Sequence, residues 1–200
     1  CNISIEAGLI INNYYNSKLN VELKEDKSPL TEADLASNNF IIESLCTNYP
    51  DIPILSEESF VEWNIRKNWK KYWLVDPLDG TKEFISKNDE FTVNIALIEN
   101  NLPVLGVIYA PALSKIFFAC KNEGSYKMRC HKKINSLDSS KKMEVAKKYI
   151  SENINIISSR SHPSDDLIRW INQNVKNYNM IKRGSSLKFC DIAEGNADIY

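Results

Sequence analysis

The sequence has only two histidines in 200 residues and no serine–histidine–aspartate order that would mark a nucleophilic triad. Its six glycines form neither a G-x-G-x-x-G string nor a P-loop, which excludes the glycine-cradled nucleotide sites those strings mark. The five cysteines (Cys1, Cys46, Cys120, Cys130 and Cys190) are odd in number and scattered. No C-x-x-C pair and no Cys/His metal spacing occurs, and such thiols fit a reducing cytoplasm. Long apolar runs are missing too. None approaches the roughly 18 residues of a membrane helix, so no integral membrane segment is expected, and no signal-peptide pattern opens the chain. Charge of one sign is lacking: 25 Lys and Arg face 26 Asp and Glu, a formal net charge of −1. The whole molecule therefore offers no field to attract nucleic acid. There is no internal repeat and no low-complexity linker.

What is present is a core. Two hundred residues, 43% of them hydrophobic, suit one domain, or one domain and part of another. The chain opens on Cys1 rather than Met and stops at Tyr200 inside an expected strand, which reads as a fragment. The most informative stretch is Tyr72-Trp73-Leu74-Val75-Asp76-Pro77-Leu78-Asp79-Gly80-Thr81. Tyr72 to Val75 reads as a buried strand, with Asp76 at its carboxyl end, where open sheets place ligand chemistry. On a continuing strand Asp76 and Asp79 would face opposite ways, but Pro77 and Gly80 predict a turn that aims both at one point. Two acids on one loop repel unless a cation sits between them, and hard oxygen ligands suit Mg²⁺ or Mn²⁺. Gly80 lets backbone approach a ligand, and Thr81 can cap a helix whose free N–H groups would hold phosphate. A lone D-x-x-D is more often a structural turn; the longer string is far more specific.

Elsewhere the pattern predicts a helix over 4–15, a strand over 21–25 and a helix from Thr31 to about Cys46. Asp34 stands where a capping-box partner of Thr31 would. Residues 52–55 form a short apolar run before Glu57 and Glu58, and spacing does not choose between these two. The aromatic and basic segment 60–71 reads as a short helix or loop capping the core. Strands follow over 92–99, 103–109, 115–120 and 126–129. Residues 127–148 carry seven Lys and Arg129 against Asp138 and Glu144. They read as a solvated loop and helix, with steering of an anionic substrate as the other use. A strand over 154–157 leads to Ser159-Arg160-Ser161-His162 and a helix from about Ser164 with Leu167, Ile168 and Ile171 inward. A strand over 178–182 leads to Gly184-Ser185-Ser186-Leu187-Lys188, which places a glycine, hydroxyls and an amine at a helix start, chemically right for an anion. Gly195 ends that helix.

Asp76-Pro77-Leu78-Asp79-Gly80-Thr81 resembles the signature of the inositol monophosphatase-like phosphatases, metal-dependent and lithium-sensitive enzymes. The longer run from Trp73 to Ala96, with Ser-Arg-Ser-His and Ser-Ser-Leu-Lys, resembles the CysQ-type 3'(2'),5'-bisphosphate nucleotidase branch. The resemblance covers nearly the whole chain. It implies the sugar-phosphatase fold, with alternating layers of helices and sheets: an α+β portion over 1–150 and the start of an α/β portion over 151–200. It implies Mg²⁺, two or three ions with Mn²⁺ as a substitute, held by Glu57, Asp76, Asp79 and the Leu78 carbonyl. Asp34 and Thr81 would orient the attacking water, and Glu57 would act in catalysis through the metal. Glu57, Leu78, Asp79, Gly80, Thr81, His162, Ser185 and Lys188 would line the substrate. The implied reaction is hydrolysis of adenosine 3'(2'),5'-bisphosphate to AMP and phosphate, with PAPS to APS beside it, linked to sulfate assimilation. The expected partner is this small nucleotide and not nucleic acid. The expected place is the cytoplasm, with peripheral attachment to the inner membrane left open. The family's last aspartate ligand and a phosphate-contacting arginine lie in segments with no counterpart before Tyr200. An inositol monophosphatase and a catalytically incomplete metal- or nucleotide-binding fragment are the rival readings.

Overall fold

The computed structural model describes residues 1–17, 21–23, 29–147, 153–161 and 165–200. In chain order the elements are α1 (Asn2–Tyr15), β1 (Val21–Leu23), β2 (Pro29–Thr31), α2 (Glu32–Asn48), β3 (Ile54–Ser56), α3 (Trp63–Arg66), β4 (Lys71–Asp79), α4 (Thr81–Ile85), β5 (Thr92–Glu99) and β6 (Leu102–Ala110). Then follow β7 (Lys115–Cys120), β8 (Gly124–Arg129), β9 (Lys141–Lys142), β10 (Ile154–Ser159), α5 (Asp165–Asn174), β11 (Tyr178–Arg183) and α6 (Leu187–Ala193). Strands β3 to β9 form one seven-stranded sheet in sequence order. Only β3 and β4 run parallel; the rest is an antiparallel meander. Strands β10 and β11 form a separate parallel pair crossed over by α5, and β1 and β2 pair antiparallel.

Alternation along the strands decides which layer covers which face. Trp73, Val75, Val93, Ile95, Val107, Tyr109 and Ile116 share one face and are buried with Ile5, Ile11, Ala33, Ile41 and Leu45 of α1 and α2. Burying each large apolar side chain stabilises the fold by about 1.5–3 kcal/mol, so this cluster dominates the core. The opposite face carries Ala110 and Phe117, which pack on Leu187 and Cys190 of α6. A third cluster joins Ile154 and Ile156 of β10 to Ile171 and Val175 around α5. Helices thus lie on both faces of the main sheet, and the expected layered α+β architecture is the one observed.

Several expectations are corrected. Strand β4 does not end at Val75 but continues to Asp79, because the chain absorbs Pro77 without leaving the sheet. The segment 60–71 does not cap the core: Phe60, Trp63 and Ile65 are exposed, since α3 spans only Trp63–Arg66 and buries no residue. No helix forms within the described part of 127–148, where β8 and β9 continue the sheet instead. In α5 Ile171 is buried but Ile168 is exposed, because a single stripe of the helix meets β10. The strand expected over 21–25 is seen as Val21–Leu23; its last residues lie outside the described ones.

Candidate active site

Strand β4 delivers the carboxylates. Asp76 lies opposite Asn94 and Asp79 opposite Thr92, with the register shifting between them. Pro77 has no N–H for the ladder, and β4 takes up one extra residue there as a bulge. Thr92 and Asn94 are two apart and share a face, so their partners Asp76 and Asp79 share it as well. A bulge, rather than the expected turn, brings the two acids to one side. Gly80 follows at φ +90°, a left-handed conformation that favours glycine. It is the N-cap of α4. Thr81, expected to cap, is instead the first helical residue. Its hydroxyl lies 3.3 Å from Asp34 Oδ1 and 3.4 Å from the Leu78 carbonyl, and its one hydrogen can be donated to either.

Asp34 serves the helix and reaches the site at once. It is buried in the first turn of α2. There its Oδ2 accepts the Thr31 N–H at 2.8 Å and the Thr31 hydroxyl at 2.5 Å, while Oδ1 faces Thr81. Burial pushes its carboxyl above the ordinary range, against the Thr31 and Thr81 bonds. Glu57 follows β3, and its N–H donates to the Val75 carbonyl at 3.1 Å, which sets it beside Asp76. Burial first, then the charges of Asp79 and Glu57 and a hydrogen bond shared with Glu57, push the Asp76 carboxyl up to about 8. Of the two glutamates that spacing left open, Glu57 is the one in this cluster. Asp79 is likewise raised, chiefly by burial, although the Ser186 N–H, the Asn94 amide and the Lys188 charge oppose it.

The turn between β11 and α6 closes the other side. Ser186 N–H donates to Asp79 Oδ2 at 2.6 Å. The Ser186 hydroxyl meets Asn94 Oδ1 and Thr92 Oγ1, each at 2.8 Å. Ser185, at φ +48°, packs so close to Gly80 that a Cβ added there would lie 3.0 Å from its own. Lys188 is buried rather than solvated; its Nζ donates to the Ser185 carbonyl at 2.5 Å. His162 lies outside the described residues. Sequence reasoning counted Ser186 among the hydroxyls of this turn but missed its bonds to Asp79 and Asn94, and missed Asn94 itself. It also missed Glu90, whose carboxylate takes both Arg160 Nε and Nη2 at 2.8 Å, Arg183 Nη1 at 3.2 Å and the Gly184 N–H at 2.7 Å. Burial alone would raise the Glu90 carboxyl; the Arg160 bonds, the Gly184 N–H and the two guanidinium charges outweigh it and hold it below the usual range.

Glu57, Asp76, Asp79, Asp34, Thr81, Ser185 and Lys188 are therefore brought together where the main sheet, α4 and α6 meet. The donor set fits a hard divalent cation. Asp76 Oδ1 is buried with no hydrogen-bond partner, next to two further carboxylates, and an uncompensated oxygen of that kind is costly unless a cation meets it. Among the described residues no three His, Cys, Asp or Glu side chains have closed on a common point. The Leu78 donor is a backbone carbonyl rather than a side chain and so falls outside that set.

An antiparallel-rich sheet between helix layers, with acids gathered at the bulged strand end, defines the layered sugar-phosphatase fold. The chain belongs to the inositol monophosphatase family, whose sequence profile matches residues 1–200. It is 43% identical over 204 residues to the 3'(2'),5'-bisphosphate nucleotidase CysQ of Salmonella typhimurium (strain LT2), a match spanning all of this chain and 77% of that protein. Identity to the CysQ of Buchnera aphidicola subsp. Acyrthosiphon pisum (strain APS) is 45% over 202 residues, spanning 100% of this chain and 72% of that one. The crystal structure of CysQ from Bacteroides thetaiotaomicron is similar with a TM-score of 0.84 at 36% identity, over 98% of this chain and 75% of that chain.

Proposed function

We propose that this protein is a Mg²⁺-dependent phosphatase that hydrolyses adenosine 3'(2'),5'-bisphosphate to AMP and phosphate, and PAPS to APS by the same step. The observation that carries the reading is the buried, unpartnered Asp76 oxygen beside Glu57 and Asp79. The relatives named as CysQ nucleotidases, 40–45% identical over the whole chain, support the substrate and disfavour the inositol monophosphatase alternative. A fold relative described as an IMPase/NADP phosphatase was solved with Mg²⁺ and phosphate, and a staphylococcal one as an inhibitory complex in LiCl. Both fit a divalent-metal site that lithium can disturb.

Glu57, Asp76, Asp79 and the Leu78 carbonyl would hold the metal, as two or three ions. Bound Mg²⁺ would supply charge neutralisation and Lewis-acid polarisation of the phosphoryl group. Thr81 donates its hydroxyl hydrogen toward Asp34, which leaves its oxygen lone pair to orient a water. Asp34, made more basic by burial, is placed to take that water's proton through Thr81. The Gly80 and Thr81 N–H groups would face the phosphate, and Ser185 and Lys188 would meet the rest of the nucleotide, with His162 assigned to it from the sequence alone. We assign residues 1–150 to the metal-binding α+β portion and 151–200 to the nucleotide-side α/β portion, in the cytoplasm. Among the described residues no helix is long and apolar enough to cross a membrane. Exposed Phe60, Trp63 and Ile65 beside Arg66 and Lys67 are the surface for peripheral attachment, to be tested by vesicle co-sedimentation. The deciding assay is phosphate release from adenosine 3',5'-bisphosphate and from inositol monophosphate, with and without Mg²⁺. Faster release from the bisphosphate, only with metal, is expected; equal rates or metal independence would overturn the assignment.

A further inference from the structure

The cationic segment left unused by this chemistry helps to line a cavity. On the face of the main sheet that α6 packs against, Lys115 lies directly opposite Arg129, Phe117 opposite Lys127, and Lys127 opposite Lys141. These side chains, with Ser139 and with Glu194 at the end of α6, surround about 430 Å³. Two of the cross-strand pairs are like-charged, which destabilises a sheet when nothing lies between them. Lys127 has a counter-charge, Glu194 Oε1 at 2.5 Å, and Glu194 Oε2 accepts from Asn196 at 3.0 Å. Among the described residues Lys115, Arg129 and Lys141 have no acidic partner. Buried Phe117 gives the cavity an apolar floor, and a concave, low-dielectric wall concentrates the positive field. The cavity lies on the same face as the candidate active site but does not include its carboxylates: β7, which carries Lys115 and Phe117, is two strands from β5 and three from β4, on the order of 10 to 14 Å at roughly 4.8 Å per strand.

We propose that this cavity is a binding site for a small polyanion carrying two or more phosphate groups. Arg129 supplies a planar fork and the lysines point charges, the combination that suits phosphate oxygens. A bound polyanion would offset both like-charged pairs. The site is independent of the catalytic reading. Its test uses inorganic tripolyphosphate in metal-free buffer, measured by titration calorimetry on the wild type, on Lys115→Gln/Arg129→Gln/Lys141→Gln and on Asp79→Asn. The triple variant should bind at least roughly tenfold more weakly, and Asp79→Asn should bind as the wild type does. Wild-type affinity should fall as salt rises. Without ligand the triple variant should melt no lower than the wild type, because it removes the like-charge pairs. If it melts lower, Lys141→Glu alone, at an exposed strand end, should give the same weakening. Undiminished binding by the triple variant or, where that one melts lower, by Lys141→Glu would overturn the proposal. So would tighter binding by Asp79→Asn, because relief of repulsion there would place the polyanion beside the carboxylates instead.

Discussion

Asp76 is the residue where burial and repulsion meet. Its folded, metal-free carboxyl stands at about 8 against an ordinary 3.8, so folding favours the protonated form. For a raised carboxyl the cost is absent below the ordinary value. It grows as pH rises and is complete above about 8. Asp76→Asn removes the charge, so the metal-free variant should melt higher than the wild type at pH 9 and differ little at pH 3. The same change removes a metal donor. It should lower Mg²⁺-dependent phosphate release by at least about 100-fold, since even outer-shell partners of a metal are worth 10–100-fold. Release at the wild-type rate would remove Asp76 from the metal site. Lys188 is the second test. Its Nζ is tied to the Ser185 carbonyl and its charge acts on Asp79. Lys188→Ala should cut kcat/KM for the bisphosphate by roughly tenfold more than for a simple monophosphate. An equal loss on both would mean that it serves Asp79 alone. Asp76 and Asp79 were legible as a pair from their own short string, whereas Asp34 and Thr81 read locally as capping residues and only the resemblance drew them toward the site. The bonds of Glu90 to Arg160, Ser186 to Asn94 and Ser186 to Asp79 were not legible, since they join residues 70, 92 and 107 apart in sequence and no local spacing encodes such a pairing.

Among the elements, the strands were read well where alternation ran uninterrupted: β5 and β7 begin and end where the pattern placed them. β4 was cut short because Pro77 signals a turn more often than a bulge. The exposed α3 was misjudged because aromatic content alone does not say whether a short segment finds a surface to cover. The β11–α6 turn is the element on which the site leans most. A Cβ added at Gly184 would lie 2.4 Å from Glu83 Cγ and 3.0 Å from the Glu90 carbonyl. Gly184→Ala must therefore push this turn away from α4 and from the segment ahead of β5, and loosen the Ser186 N–H that holds Asp79. Overpacking of this kind costs roughly 1–3 kcal/mol, so a thermal melt should drop by several degrees. Mg²⁺ affinity, read by titration calorimetry, should fall with it. A variant with wild-type melting and wild-type Mg²⁺ binding would show that the turn does not position Asp79.

At the scale of the whole molecule, two sheets with separate cores are joined through Glu90. It sits ahead of β5 and takes Arg160 from the end of β10, Arg183 from the end of β11 and the Gly184 N–H. Glu83 adds a bond from the Ser161 hydroxyl, and Arg183 Nε also reaches Asp191 of α6 at 2.8 Å. This joint was not legible in the sequence, because a glutamate before a strand reads as a solvated loop residue. Glu90 is buried while Arg160 is partly exposed, so the clamp belongs between a surface pair and a buried one, on the order of 2 kcal/mol. Its pH sign follows from a carboxyl held below its ordinary 4.5. The stabilisation is fully present above that value and is lost as pH falls through the lower, folded one. Glu90→Gln keeps the shape and removes the charge, leaving both guanidinium groups without their shared partner. Hydrogen exchange at pH 7 should then show amides of β10 and β11 opening roughly 10- to 30-fold more often, while β5 to β7 keep their protection. The wild type should show the same selective loosening only in acid, below the ordinary carboxylate range. If β10 and β11 in Glu90→Gln exchange at the wild-type rate, the two sheets are joined by packing and the charged clamp is dispensable.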